Sequence, residues 1–341
     1  MFAVLIMFLV LPVHAQDLTA PAVPEYAEKF MPAQQENFAQ GLMEVLRDAL
    51  LYIRPDLKEA AGVCRGSVAV VTGVSLLRIF PGSSEKTAAL AGSMGIAAIL
   101  LQSSNSLINL AASTVTQISE YGKLLLPVMT AALAGQGGIS TSAALYAATA
   151  LFDALLTALI GKALTPMIYL FLLLSVAGSA IGQDMLKKLR DTLKWAVTWS
   201  LRTILYIYTG FIGITGVVSG TTDATALKAA KLAISSVVPI VGGILSDASE
   251  AVLVSAGAVR NAAGIYGFFA ILAIWIGPFL QIGLHYLFLK ATGAVCSIFA
   301  GKEHTELIQD FSSAMGLLLA MTGTICLMLL ISLVCYLKGV A

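Results

Sequence analysis

The stretch FSSAMGLLLAMTGTICLMLLISLVCYL, residues 311–337, carries no charged side chain. A helix needs roughly 20 apolar residues to cross the hydrocarbon core of a bilayer, so this run predicts a membrane-spanning helix. Uncharged runs of similar kind fill 87–119, 124–152, 163–183, 203–222 and 261–289, which brings the expectation to at least six spans. Two pieces, 232–246 and 251–259, are too short to cross alone. Glycine and polar residues border them, which is how broken or re-entrant helices read. The expected fold class is all-α, a polytopic transmembrane helical bundle of about six to eight spans.

Composition agrees. Of 341 residues, 58% are hydrophobic and 11% charged, against about 25% charged in soluble domains, and mean hydropathy is +0.89. A water-soluble fold is excluded. Charge is concentrated early: 16 of the 39 charged residues lie between Asp17 and Lys86. This divides the chain into a polar leader, 16–86, and a membrane body, 87–341. Net charge is +1, so there is no basic footprint for nucleic acid. Cys64, Cys296, Cys326 and Cys335 lack metal-ligand spacing and read as buried thiols. No phosphate loop and no zinc motif is present, so neither an enzyme nor a cofactor is expected.

Residues 1–13 are apolar but short for a span, and Val13-His14-Ala15 presents the residue types that a signal peptidase reads. The expectation is a signal peptide, 1–15, cleaved after Ala15. An uncleaved first anchor is the other reading, since no Lys or Arg precedes the apolar run. After Pro21, Pro24 and Pro32, the spacing of Phe38, Leu42, Val45, Leu46 and Ala49 predicts an amphipathic helix ending before Pro55. A second helical stretch, 57–80, carries Arg65 and Arg78, which are costly at bilayer centre. It either spans or packs on the membrane body or surface.

The body contains an internal repeat. Pro127 and Pro166 are 39 residues apart, as are Pro239 and Pro278. A shift of 112 residues lays Leu125-Leu126-Pro127-Val128-Met129 on Val237-Val238-Pro239-Ile240-Val241, giving units of about 87–210 and 211–337. Polar segments 184–202 and 302–310 fall at matching places. The first is basic, with Lys187, Lys188, Arg190, Lys194 and Arg202, and the second is acidic. Because positive loops stay in the cytoplasm, the two are expected on opposite sides, as an inverted repeat requires. In 186–197 the apolar side chains share one face and the basic ones another, with Trp195 and Trp199 nearby. That predicts an interfacial helix lying on lipid headgroups.

The densest polar constellation in the body is Ser219-Gly220-Thr221-Thr222-Asp223-Ala224, followed by Lys228 and Lys231. Asp223 reads either as the N-cap of a following helix or as part of a polar path or gate. Asp153, Asp247, Glu250 and Arg260 also lie in or beside apolar runs, where ionisable groups face a cavity or a partner. A structural ion pair of Asp247 or Glu250 with Arg260 is the alternative. Polar-path candidates are therefore Asp153, Thr221, Thr222, Asp223, Lys228, Lys231 and Asp247. Helix-break candidates are Pro127, Gly137, Gly138, Pro239, Gly242 and Gly243.

The stretch from Val218 to Asp247, VSGTTDATALKAAKLAISSVVPIVGGILSD, closely resembles the core of the stage III sporulation protein AE family. Leu126-Pro127-Val128-Met129-Thr130-Ala131 with Gly137-Gly138 fits the same family, and the resemblance runs from about Leu76 to the end. It implies a multipass protein of the mother-cell membrane around the forespore. There it would join the channel, or feeding-tube, complex with the other stage III A proteins, a forespore-membrane partner and an ATPase, in contact with lipid and as a homo-oligomer. The resemblance supplies no catalytic residues. A secondary transporter acting alone is the runner-up, and a non-conducting assembly platform is a third reading.

Overall fold

The computed structural model describes residues 20–32, 38–77, 85–181, 184–237 and 242–338, with side chains left undescribed at 77, 85, 86, 88, 89, 184 and 215–259. The expected signal segment 1–15 and Pro239 lie outside the described residues. The leader contributes α1 (Glu25–Glu28), α2 (Phe38–Tyr52) and α3 (Arg54–Leu77). The body contributes α4 (Glu85–Gly135), α5 (Ile139–Leu159), a π-turn (Ile160–Leu164), α6 (Thr165–Ile181), α7 (Asp184–Val237), α8 (Gly242–Cys296) and α9 (Lys302–Lys338). The molecule is an all-α bundle.

The most apolar segment lies at its centre. Helix α9 packs against α4, α5, α6, α7 and α8, and its side chains are buried from Leu307 to Tyr336 on every side it turns to a neighbour. Four helical stretches among the described residues are long and apolar enough to cross a membrane: Leu90–Gly135, Ile139–Ile181, Arg260–Cys296 and Lys302–Lys338. Helix α9, at 37 residues, is about 55 Å long. The hydrocarbon core is about 30 Å thick, so the bundle has room for polar ends.

The uncharged runs do not map one to one onto helices. Glu120-Tyr121-Gly122-Lys123 separates two runs in the sequence, yet α4 passes through it unbroken. A helix closes its own backbone bonds whatever side chains it carries, so this polar stretch, with Tyr121 and Gly122 buried and Glu120 and Lys123 exposed, does not end it. Pro127, expected at a break, also lies inside α4. The break comes nine residues later. Gly138 N–H donates to Leu133 O at 3.1 Å and Gly137 N–H to Ala134 O at 2.9 Å, with Gly137 at φ 92°. These two bonds form the glycine-terminated cap that satisfies the last carbonyls of a helix, and Gly138 then starts α5. The second proline, Pro166, follows the π-turn, where Thr165 N–H reaches Ile160 O. The wider turn accommodates a ring that would meet the carbonyl four residues back.

The stretch 251–259, expected as a separate short piece, is continuous with 261–289 inside α8. The basic stretch 184–202 is likewise no separate surface helix. It is the first part of α7, and Arg190, Val197, Leu201, Tyr208 and Ile212 form one buried stripe against the bundle.

The leader helices lie along the body. Helix α2 buries Gly41, Val45 and Ala49, a narrow face of small residues that allows close approach, while Phe38 and Leu46 of the expected apolar face stay exposed. Phe38 packs on Phe268 and Phe269 of α8, with ring centroids 4.9 and 5.4 Å away. A Cβ on Gly41 would lie 2.6 Å from the Phe269 ring. Phe30 covers Gly277, and Tyr121 OH donates to Pro21 O at 3.3 Å. Helix α3, with Pro55 in its first turn where the missing N–H costs nothing, packs against α4 and α8.

Candidate functional site

Among the described residues, two polar regions stand out within the apolar packing. The first is a cleft of about 220 Å³ at one end of the bundle, lined by Ser179, Lys187, Arg190, Lys302, Glu306 and Asp310, among others. Arg190 Nη1 meets Asp310 Oδ2, and both residues are over nine-tenths buried. Lys187 Nζ lies 2.8 Å from Glu306 Oε1 at the rim. The hydrogen bond to Glu306 holds the Lys187 ammonium above the usual lysine range. Ser179 Oγ donates to Glu303 O at 3.0 Å and lies 2.8 Å from Ser93 Oγ, so four helices are tied together here.

These contacts overturn the placement of 184–202 and 302–310 on opposite sides. Between the two segments the chain runs out along α7 and back along α8, which returns it to the same end. Their opposite charges pair directly, so the charge argument for an inverted repeat does not hold.

The second region is a buried polar seam. Ser119 Oγ of α4 donates to Asp153 Oδ2 of α5 at 2.5 Å, and Asp153 is 2% exposed. One turn along α5, Thr149 Oγ1 lies 2.7 Å from Ser332 Oγ and 3.3 Å from Tyr208 OH. Further along, Thr130 Oγ1 and Tyr336 OH are 2.9 Å apart. The seam thus crosses α4, α5, α7 and α9 within the apolar run 311–337. Paired hydroxyls satisfy one another away from water, where an orphaned polar group would cost several kcal/mol, roughly 2–7. Such contacts also fix the rotation of each helix.

Of the residues singled out in sequence, Asp153 belongs to this seam. Gly137 and Gly138 form the α4–α5 turn. Thr221, Thr222, Asp223, Lys228 and Lys231 lie inside α7, and Asp247 lies inside α8; their side chains are outside the description. Asp223 is therefore not an N-cap, because the helix runs through it and its neighbouring amides bond within the turn. Gly242 and Gly243 begin α8, four residues or fewer after Pro239. The sequence reading missed Ser119, Thr149, Tyr208 and Ser332. Nothing in the sequence around any of them marks it out from neighbouring hydroxyls, and only helix register brings them together.

The family described as stage III sporulation protein AE matches residues 74–338. The chain is also similar to stage III sporulation protein AE of Bacillus subtilis (strain 168), with 25% identity over 236 residues. That match covers 69% of this chain and 59% of the relative. No solved structure matches.

Proposed function

The chain belongs to the stage III sporulation protein AE family, and from that premise we propose that it is a multipass membrane subunit of the sporulation channel linking mother cell and forespore. It sits in the mother-cell membrane around the forespore, with its leader outside the cytoplasm. It is a pore-forming subunit that assembles with the other stage III A membrane proteins and, through them, with a forespore-membrane partner and an ATPase. Its task is to sustain the forespore after engulfment.

The observation that carries a subunit rather than a solitary transporter is the outward direction of several charges. Glu120 and Lys123 on α4 and Lys162 in the π-turn are exposed on the outer surface. They lie at the depth of apolar helices: a Cβ on Gly122 would touch Leu329, inside the 311–337 run. Charged groups at that depth are expensive against lipid, and a lone carrier turns them inward. A neighbouring subunit or a water-filled lumen covers them in an assembly.

Purification from sporulating cells tests this. The expected result is recovery of the other stage III A proteins with this chain, and their loss when Glu120, Lys123 and Lys162 are replaced by Leu in a chain that still reaches the membrane. Uptake of one small solute by the isolated, reconstituted chain would overturn it in favour of the solitary transporter. A variant neutralised at Asp223 or Lys231 is expected to fail in sporulation after engulfment while growing normally.

A further inference from the structure

Asp153 has a second carboxylate oxygen, Oδ1, that is buried and has no hydrogen-bond partner. We propose that Asp153 is a proton-binding site inside the helical bundle, occupied by a proton in the packed state. The inference is independent of the channel reading, since it rests on the interior of a single chain.

The geometry argues against a permanently ionised carboxylate. Asp153 is absent from the ion pairs among the described residues. Helices α4, α7 and α9 pack against α5. From α4 the facing groups are the Ser119 hydroxyl and, one turn on, Lys123, whose side chain is exposed rather than folded onto the carboxylate. From α7 the facing group is the Tyr208 phenol. From α9, Ser332 faces the seam one turn away at Thr149. A single hydroxyl donor and no adjacent cation leave an ionised carboxylate under-compensated in an apolar interior, and such a group neutralises instead. Protonation removes the charge while Oδ2 keeps its bond with Ser119, so the unpartnered Oδ1 is left as part of a neutral group, far cheaper to bury than an ion. A metal ion fits poorly, because hard cations take six or so oxygen ligands and this position offers a carboxylate and one hydroxyl.

The hydroxyls near Asp153 fall into separate groups: Ser119 on the carboxylate, then Thr149 with Tyr208 and Ser332, then Thr130 with Tyr336. Each group satisfies itself, so a proton reaches Asp153 as the helices around it open rather than along a bonded chain.

The test uses the full chain in liposomes and dicyclohexylcarbodiimide, a lipid-soluble reagent that modifies protonated carboxyl groups. Adducts are located by peptide mass spectrometry. Asp153 is expected to be labelled in mild acid and to lose about tenfold in labelling per pH unit once the solution passes its midpoint. Ser119→Ala removes a bond that favours the ionised form, so its labelling is expected to persist to higher pH. Asp153→Asn is expected to fold and to lose this adduct alone. An unlabelled Asp153 at every pH, or labelling equal in acid and alkali, would overturn the proposal. If Ser119→Ala does not fold, the pH profile of the unsubstituted chain decides by itself.

Discussion

Arg190 and Asp310 stand 120 residues apart in the chain and meet where both are almost fully buried. Their pairing in a low-dielectric cleft compensates two desolvation costs at once, so loss of either partner strands the other. Arg190→Met or Asp310→Leu alone is expected to lower stability by about 3–5 kcal/mol, whereas the two changes together recover most of it. Thermal unfolding of the four forms in detergent, read as a double-mutant cycle, checks this. A local counterpart is Gly137, at φ 92°. Gly137→Ala forces a Cβ into left-handed backbone and is expected to cost about 1–2 kcal/mol, visible in the same assay. The two sites differ in how legible they were. Gly137-Gly138 announces a turn because the requirement is in the residue's own backbone. Nothing near Arg190 or Asp310 names its partner, and charge alone placed the two on opposite faces.

Helices were legible where hydropathy was sufficient and misread where punctuation was over-trusted. Residues 311–337 predicted α9 closely. Pro127 and the polar stretch 120–123 suggested interruptions, but neither outweighs the intrahelical bonding on both sides. Contacts between helices rest on glycines whose role hydropathy cannot express. A Cβ on Gly264 would collide with the Leu337 side chain, and one on Gly267 would lie 2.6 Å from Leu125. Alanine at these sites needs only a shifted leucine tip, while Gly267→Leu wedges α8 away from α4. The expected penalty for the leucine is about 1–3 kcal/mol, with the alanine variant clearly milder. Comparison of the two by thermal unfolding separates close packing from helix propensity, since both substitutions favour helix over glycine.

The whole molecule joins a leader and a body that composition had divided. Across that division Gly41 fits beneath Phe269, Phe30 covers Gly277, and a bond links Tyr121 to Pro21. Helix α2 therefore has its seat on α8, a helix more than two hundred residues further along the chain. Synthesis proceeds at roughly 5–20 residues per second, so α2 waits on the order of ten to fifty seconds before its seat exists. Chains stopped after α7 are expected to expose α2 to added protease, and complete chains to protect it. Gly41→Trp, which fills the seat, is expected to restore cleavage in the complete chain. Helix α2, made early, is thus fastened late, and its docking reports that insertion has reached α8.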